Sequence, residues 1–136
     1  MTTDRPTQMT FTKLVVDDLE AISHYYCSVF GLHRGFHEKF ESGIGGEPIE
    51  EIALAATPGD RWGALTLLKF LNRPAAQGDG AIIGFTTSDL EALLERVRLS
   101  GGDLVGEIKE MPRLGIRVAF ARDPEGHLNE LVELRT

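Results

Sequence analysis

The sequence predicts an α+β fold built from two copies of a βαβββ module. Two observations carry that reading. Asp18-Leu-Glu-Ala-Ile22 matches Asp89-Leu-Glu-Ala-Leu93 at an offset of 71 residues, about half of the 136-residue chain. Around each match the same order recurs, one strand, one helix and three further strands, and a period of half a chain points to a duplicated unit. Each module has one amphipathic helix and four strands. Each sheet therefore covers one face with its helix and leaves the other free to curve around a ligand.

Module one is expected over about residues 9–71 and module two over about residues 80–135 of a single domain. Residues 1–9 read as a polar leader without regular structure. Phe11–Val16 is rich in β-branched and aromatic residues and reads as a strand. Asp17 and Asp18 supply cap chemistry, after which Leu19, Ile22, Tyr26, Val29 and Phe30 follow a 3.6-residue period. Gly31 ends that helix, because glycine adopts a left-handed C′ conformation most cheaply. Strands are expected at Arg34–Phe40, Ile49–Ala56 and Trp62–Phe70, with Ser42–Gly46 a flexible loop and Asn72–Gly80 a linker.

The second module opens with the strand Ala81–Thr87 and a helix capped by Ser88 and Asp89. Leu90, Leu93, Leu94 and Val97 form its apolar face, and Gly101-Gly102 stops it. Strands follow at Leu104–Ile108, Gly115–Arg122 and Leu128–Leu134. The last two are joined by Asp123-Pro-Glu-Gly126, where aspartate accepts locally, proline presets φ and glycine closes the turn.

Composition narrows the function classes. Fourteen Lys and Arg against 21 Asp and Glu give a formal charge of −7, spread over both halves. With no basic patch to neutralise phosphates, nucleic acid is not an expected partner. The longest apolar run is Ile52–Ala56, and no polybasic segment is present, so no membrane association is expected. A single cysteine, Cys27, excludes an internal disulfide. The expectation is a cytoplasmic globular protein.

At this point the chain resembles the vicinal oxygen chelate superfamily, which includes glyoxalase I, extradiol dioxygenases, fosfomycin-resistance enzymes and bleomycin-resistance proteins. The residues that carry the likeness are the two Asp-Leu-Glu-Ala helix starts, Tyr25-Tyr26…Val29-Phe30-Gly31-Leu32, and Asp123-Pro-Glu-Gly126 followed by Glu130-Leu131. The resemblance implies a glyoxalase/bleomycin-resistance/dihydroxybiphenyl dioxygenase-like fold with a cupped mixed sheet, and a homodimer. It also implies a divalent metal at the floor of the cup, held by one residue at the start of each module's first strand and one on its last. Seven residues before each helix cap, those positions are Phe11 and Ile82; four residues after Gly126 is Glu130, and its counterpart in the first module falls near Thr66, within Ala64–Leu68. A phenyl ring and a sec-butyl group have no lone pairs to give, and a hydroxyl with one carboxylate is a poor donor set for a divalent cation. The metal and any other cofactor are therefore not expected.

What remains is an apolar cup holding one acid. Glu130 is the candidate catalytic or ligand-binding carboxylate, since apolar neighbours raise a carboxyl pKa toward acid–base use. Alternation places Leu128, Glu130, Val132 and Leu134 on one strand face and Asn129, Leu131 and Glu133 on the other, and does not say which face is inward. Phe11, Ile82, Val118, Phe120 and Val132 are expected to line the cup with Thr66, while Trp62, Met111 and Arg113 rim its mouth. Arg113 or Arg117 is placed to meet an anionic group, although solvated arginine is the commoner outcome. His33, His37 and Glu41 share strand spacing, His24 and His127 read as surface or half-buried polar residues, and Cys27 reads as mid-helix packing.

Two functions follow. One is a metal-free protein that binds a small hydrophobic or aromatic molecule, like the bleomycin-resistance branch. The other is an enzyme, similar to lactoylglutathione lyase or a dioxygenase, that uses Glu130 as its acid–base group or an unusual metal site.

Overall fold

A computed structural model describes residues 7–60 and 63–134. Module one contains β1 (Thr12–Val15), α1 (Leu19–Phe30), β2 (His33–Ile44), β3 (Glu47–Ala55) and β4 (Leu65–Phe70). Module two contains β5 (Ile82–Thr87), α2 (Leu90–Leu99), β6 (Asp103–Met111), a 3-10 turn (Pro112–Leu114), β7 (Ile116–Arg122) and β8 (Leu128–Leu134). The two sheets have the same order, β1-β4-β3-β2 and β5-β8-β7-β6. In each, the first strand runs parallel to the fourth and the other pairs are antiparallel. The duplication seen in the sequence is thus a duplication of topology.

The helix starts repeat for a physical reason. Asp18 accepts from Ala21 N at 3.0 Å and Asp89 from Ala92 N at 3.1 Å, each satisfying a donor that the first helical turn leaves open. Gly31 sits at φ 70° and its N–H closes on Cys27 O, ending α1.

Below the sheets the modules share one core. Leu14, Val16, Ile52, Leu54, Leu65 and Leu67 from the first sheet meet Ile22, Tyr26 and Val29 of α1, and the same cluster takes in Leu90, Leu93 and Val97 of α2 and Leu131 of β8. Phe30 and Phe85 stack across the junction with centroids 3.7 Å apart. Arg96 of α2 donates to the Val29 carbonyl of α1 at 2.9 Å. Both helices lie on one side, so both uncovered sheet faces lie on the other.

Several expectations change. The expected mixed sheet is built as two four-stranded units, with no ladder between β1 and β5 among the described residues. The shared core under the helices, rather than strand pairing, joins the modules. The expected loop Ser42–Gly46 is mostly strand: β2 runs to Ile44, and only Gly45 and Gly46, at φ 56° and 82°, make the turn. A glycine-rich sequence hides this, yet a Cβ on Gly43 would lie 2.4 Å from Ile49 Cγ1, so the Ile49 side chain packs into the space the glycine leaves. β4 starts at Leu65 rather than at residue 62, because Gly63 takes φ 70° against the Leu54 carbonyl. Trp62 lies outside the described residues.

Candidate ligand-binding cup

Strand alternation in β8 settles which side Glu130 faces. Asn129, Leu131 and Glu133 are buried beneath the helices, while Leu128, Glu130 and Val132 are half-buried on the opposite, uncovered face. On that face Phe120 of β7 and Gly84 of β5 are the register partners of Glu130, and Val118 pairs with Val132. Glu130 therefore sits between a phenyl ring and a glycine, with valines one step away. Among the described residues it has no hydrogen bond or ion pair. Ile82 shares the face and is 50% exposed.

The first module builds the equivalent floor differently. Lys13 pairs with Thr66 as Gly84, 71 residues later, pairs with Glu130, so Thr66 holds in β4 the place of Glu130 in β8. Thr66 is only 2% exposed and Glu51, on the same face of β3, is 4% exposed. Lys13 lies across β4 to reach Glu51, Nζ to Oε2 2.5 Å, and so covers the floor that Thr66 belongs to. Phe11 precedes β1 on this side, 44% exposed, with the Lys13 ammonium 5.8 Å from its ring centroid. Ile49, Leu68 and Phe70 pack into a small cluster on the same face.

Where the edge strands meet, Thr12, Leu65 and Ala64 oppose Ile82, Gly84 and Phe85 across a cleft of about 300 Å³. A second hollow of about 430 Å³ lies on Met111, Pro112, Arg113 and Leu114, the 3-10 turn expected at the rim. A third, of about 550 Å³, runs past Cys27, His33 and Phe36. Burial pushes the Cys27 thiol above its ordinary pKa, which suits packing and not nucleophilic attack.

The matching family model covers residues 8–131 and is described as the glyoxalase/bleomycin resistance protein/dioxygenase superfamily. The chain belongs to that superfamily. A solved glyoxalase family protein from Bacillus cereus superposes with a TM-score of 0.81 at 22% identity, covering 100% of this chain and 99% of that one. The trypanothione-dependent glyoxalase I of Leishmania major gives 0.73 at 20% identity, with 93% and 86% covered. Zea mays glyoxalase I gives 0.70 at 21% identity, and there 91% of this chain spans 43% of the other. At these identities the likeness is one of fold. Comparison with curated protein sequences gives no match.

The residues present do not fit the metal that the superfamily resemblance implies. Its four positions hold two hydrocarbons, Phe11 and Ile82, a buried hydroxyl, Thr66, and one carboxylate, Glu130. Among the described residues no three His, Cys, Asp or Glu side chains gather as a ligand set. His37, which shares strand spacing with His33 and Glu41, meets Glu50 at 2.6 Å.

Arg117 is a correction. It lies on the helix side of β7, not in the cup, and bridges Glu91 and Glu133 at 2.6 and 2.8 Å. The hydrogen bonds its guanidinium donates to those two carboxylates hold its pKa further above the ordinary arginine value. Arg113 stays at the exposed turn.

Sequence reasoning missed two groups. Lys13 and Glu51 were unremarkable strand residues until sheet register brought them together. Asp123, read as a turn former, is 3% exposed and takes His127 Nδ1 at 2.8 Å and the Tyr26 hydroxyl at 2.9 Å. Burial pushes its carboxyl up, but the His127 hydrogen bonds and charge and the Tyr26 hydroxyl outweigh that and leave the pKa lowered. His127 is raised by the Asp123 hydrogen bond against the opposing effect of burial.

Proposed function

We propose that this superfamily member binds a small, largely apolar molecule in the cup between its two uncovered sheet faces, without a protein-held divalent metal. The observation that carries the reading is the composition of the floor: Phe11 and Ile82 put hydrocarbon where the resemblance calls for metal donors, and Phe120 and Val132, with Val118 packed beside them, extend the apolar surface around Glu130. Burying a ligand there gains roughly 0.8 kcal/mol per CH₂. Polar groups then orient the ligand, as small-molecule sites generally require.

A second reading is a cofactor-independent enzyme in which Glu130 moves a proton. It is favoured by one observation, the lack of any partner for this half-buried carboxylate among the described residues. We also propose a homodimer, supported by exposed Leu104, Val105 and Met111 along β6, an edge strand that among the described residues pairs only with β7.

Titration with the uncharged dye N-phenylnaphthylamine tests the binding reading. Saturable uptake at one dye per chain, weakened by Phe120→Ala and indifferent to EDTA, is expected. No uptake, or uptake abolished by EDTA, overturns it.

A further inference from the structure

We propose that Lys13 supplies from the chain itself the positive charge at the floor of the cup, and that the ligand is a small apolar acid whose anionic oxygens rest on the Lys13 ammonium. This rests on the reading of the cup as an apolar ligand site.

The pair between Lys13 and Glu51 is one-sided. The Glu51 side chain is 6% exposed and the Lys13 side chain is 37% exposed, so the carboxylate lies beneath and the ammonium above. Burying Glu51 is costly without its partner, which fixes the ammonium over the floor. An ammonium has three protons, and Glu51 is the only acceptor of one of them among the described residues. The others are left for a ligand.

Place and surroundings select that ligand. Lys13 is the register partner of Thr66, one of the positions that lack a metal donor, and lies on the same side as the Phe11 ring. A bound anion would therefore meet a positive charge at its head and hydrocarbon beside it. A fixed cation beside apolar walls binds an organic anion more tightly than the same charge does in water. Glu130 on the second sheet gives the opposite half of the cup the opposite sign. An acid entering head-first on Lys13 keeps its carboxylate away from Glu130.

The test compares two dyes that differ by one anionic group, anilinonaphthalenesulfonate and uncharged N-phenylnaphthylamine. Each is titrated into the wild-type chain, Lys13→Met/Glu51→Gln, Glu51→Gln and Arg98→Met. The double variant removes both partners, so no buried charge is orphaned, and circular dichroism checks its fold. The preference for the sulfonate over the neutral dye is expected to fall about tenfold in the double variant, as for a lost charge-assisted hydrogen bond. It should rise severalfold in Glu51→Gln, where the ammonium loses its competing carboxylate, and stay unchanged in Arg98→Met on the helix side. A purely structural pair would not tighten anion binding when Glu51 is neutralised. An unchanged preference in the double variant, or an equal fall in Arg98→Met, overturns the inference while uptake of the neutral dye leaves the cup reading standing. Failure to take up either dye overturns both.

Discussion

His127, from the turn before β8, sits 3.0 Å by its Nε2 from the carbonyl of Val15 at the end of β1, 112 residues away. A carbonyl only accepts, so Nε2 carries a proton. Asp123 holds the other ring nitrogen, so the imidazolium form is the one that satisfies both contacts. The link is a latch between modules: Glu125 in the same turn also takes Asp17 N and Asp18 N at 2.8 and 2.7 Å.

This latch makes stability depend on pH. A raised His127 pKa means its contribution is complete below the ordinary histidine value and is lost as pH rises through the folded value. The lowered Asp123 pKa contributes above the ordinary aspartate value and fades as pH falls through its own folded value. Together they act most strongly between about pH 4 and about pH 6.5. Urea midpoints should therefore separate wild type from His127→Gln by about 2 kcal/mol in that window, and the gap should narrow in alkaline buffer. A gap that widens with pH would contradict the assignment.

Tyr26→Phe tests the buried end of the same network. Its hydroxyl donates to Asp123 and accepts from Asn129 Nδ2 at 3.1 Å, and burial with the Asp123 charge keeps the phenol protonated. Removing it leaves two buried polar groups short of a partner. A loss of about 1–3 kcal/mol is expected in thermal or chemical unfolding, with uptake of the neutral dye in the cup unchanged.

Gly102→Ala is expected to destabilise by about 1–3 kcal/mol, because overpacking forces rigid neighbours apart. A Cβ there would stand 2.7 Å from the Arg122 carbonyl and 2.6 Å from the Tyr25 hydroxyl. The backbone oxygen cannot swing away as a flexible side chain would. A melting temperature equal to wild type would show that the turn after α2 and β7 approach less closely.

The fold was legible because its signals are local. The caps at Asp18 and Asp89, the stop at Gly31 and the turn at Asp123-Pro-Glu-Gly126 are each written within five residues, and the repeat doubles the helix caps. The cup was legible only in part. Alternation grouped Leu128, Glu130 and Val132, but which face the helix covers depends on the packing of α2. Lys13 and Glu51 are 38 residues apart on strands separated by β4, so no sequence spacing announces them. Nor does a turn signature reveal that Asp123 is buried against a tyrosine from the other module. Long-range register decides such pairs.

Gly84 offers the sharpest test of where the ligand lies. It is the β5 partner of Glu130 on the uncovered face, and a Cβ there meets nothing nearer than the Glu130 carbonyl at 4.0 Å. Its φ lies outside the left-handed region, so a larger residue is free of backbone strain. Gly84→Leu should therefore fold with stability near or above wild type, since leucine favours a strand more than glycine does. Its side chain would project into the cup between Ile82 and Glu130 and occupy the space a ligand needs. Affinity for N-phenylnaphthylamine should drop at least tenfold, about the 1.4 kcal/mol that a steric block of one subsite readily exceeds. Undiminished dye binding in a well-folded Gly84→Leu chain would move the ligand out of this cup, toward the hollow at Met111 or the cavity beside Cys27.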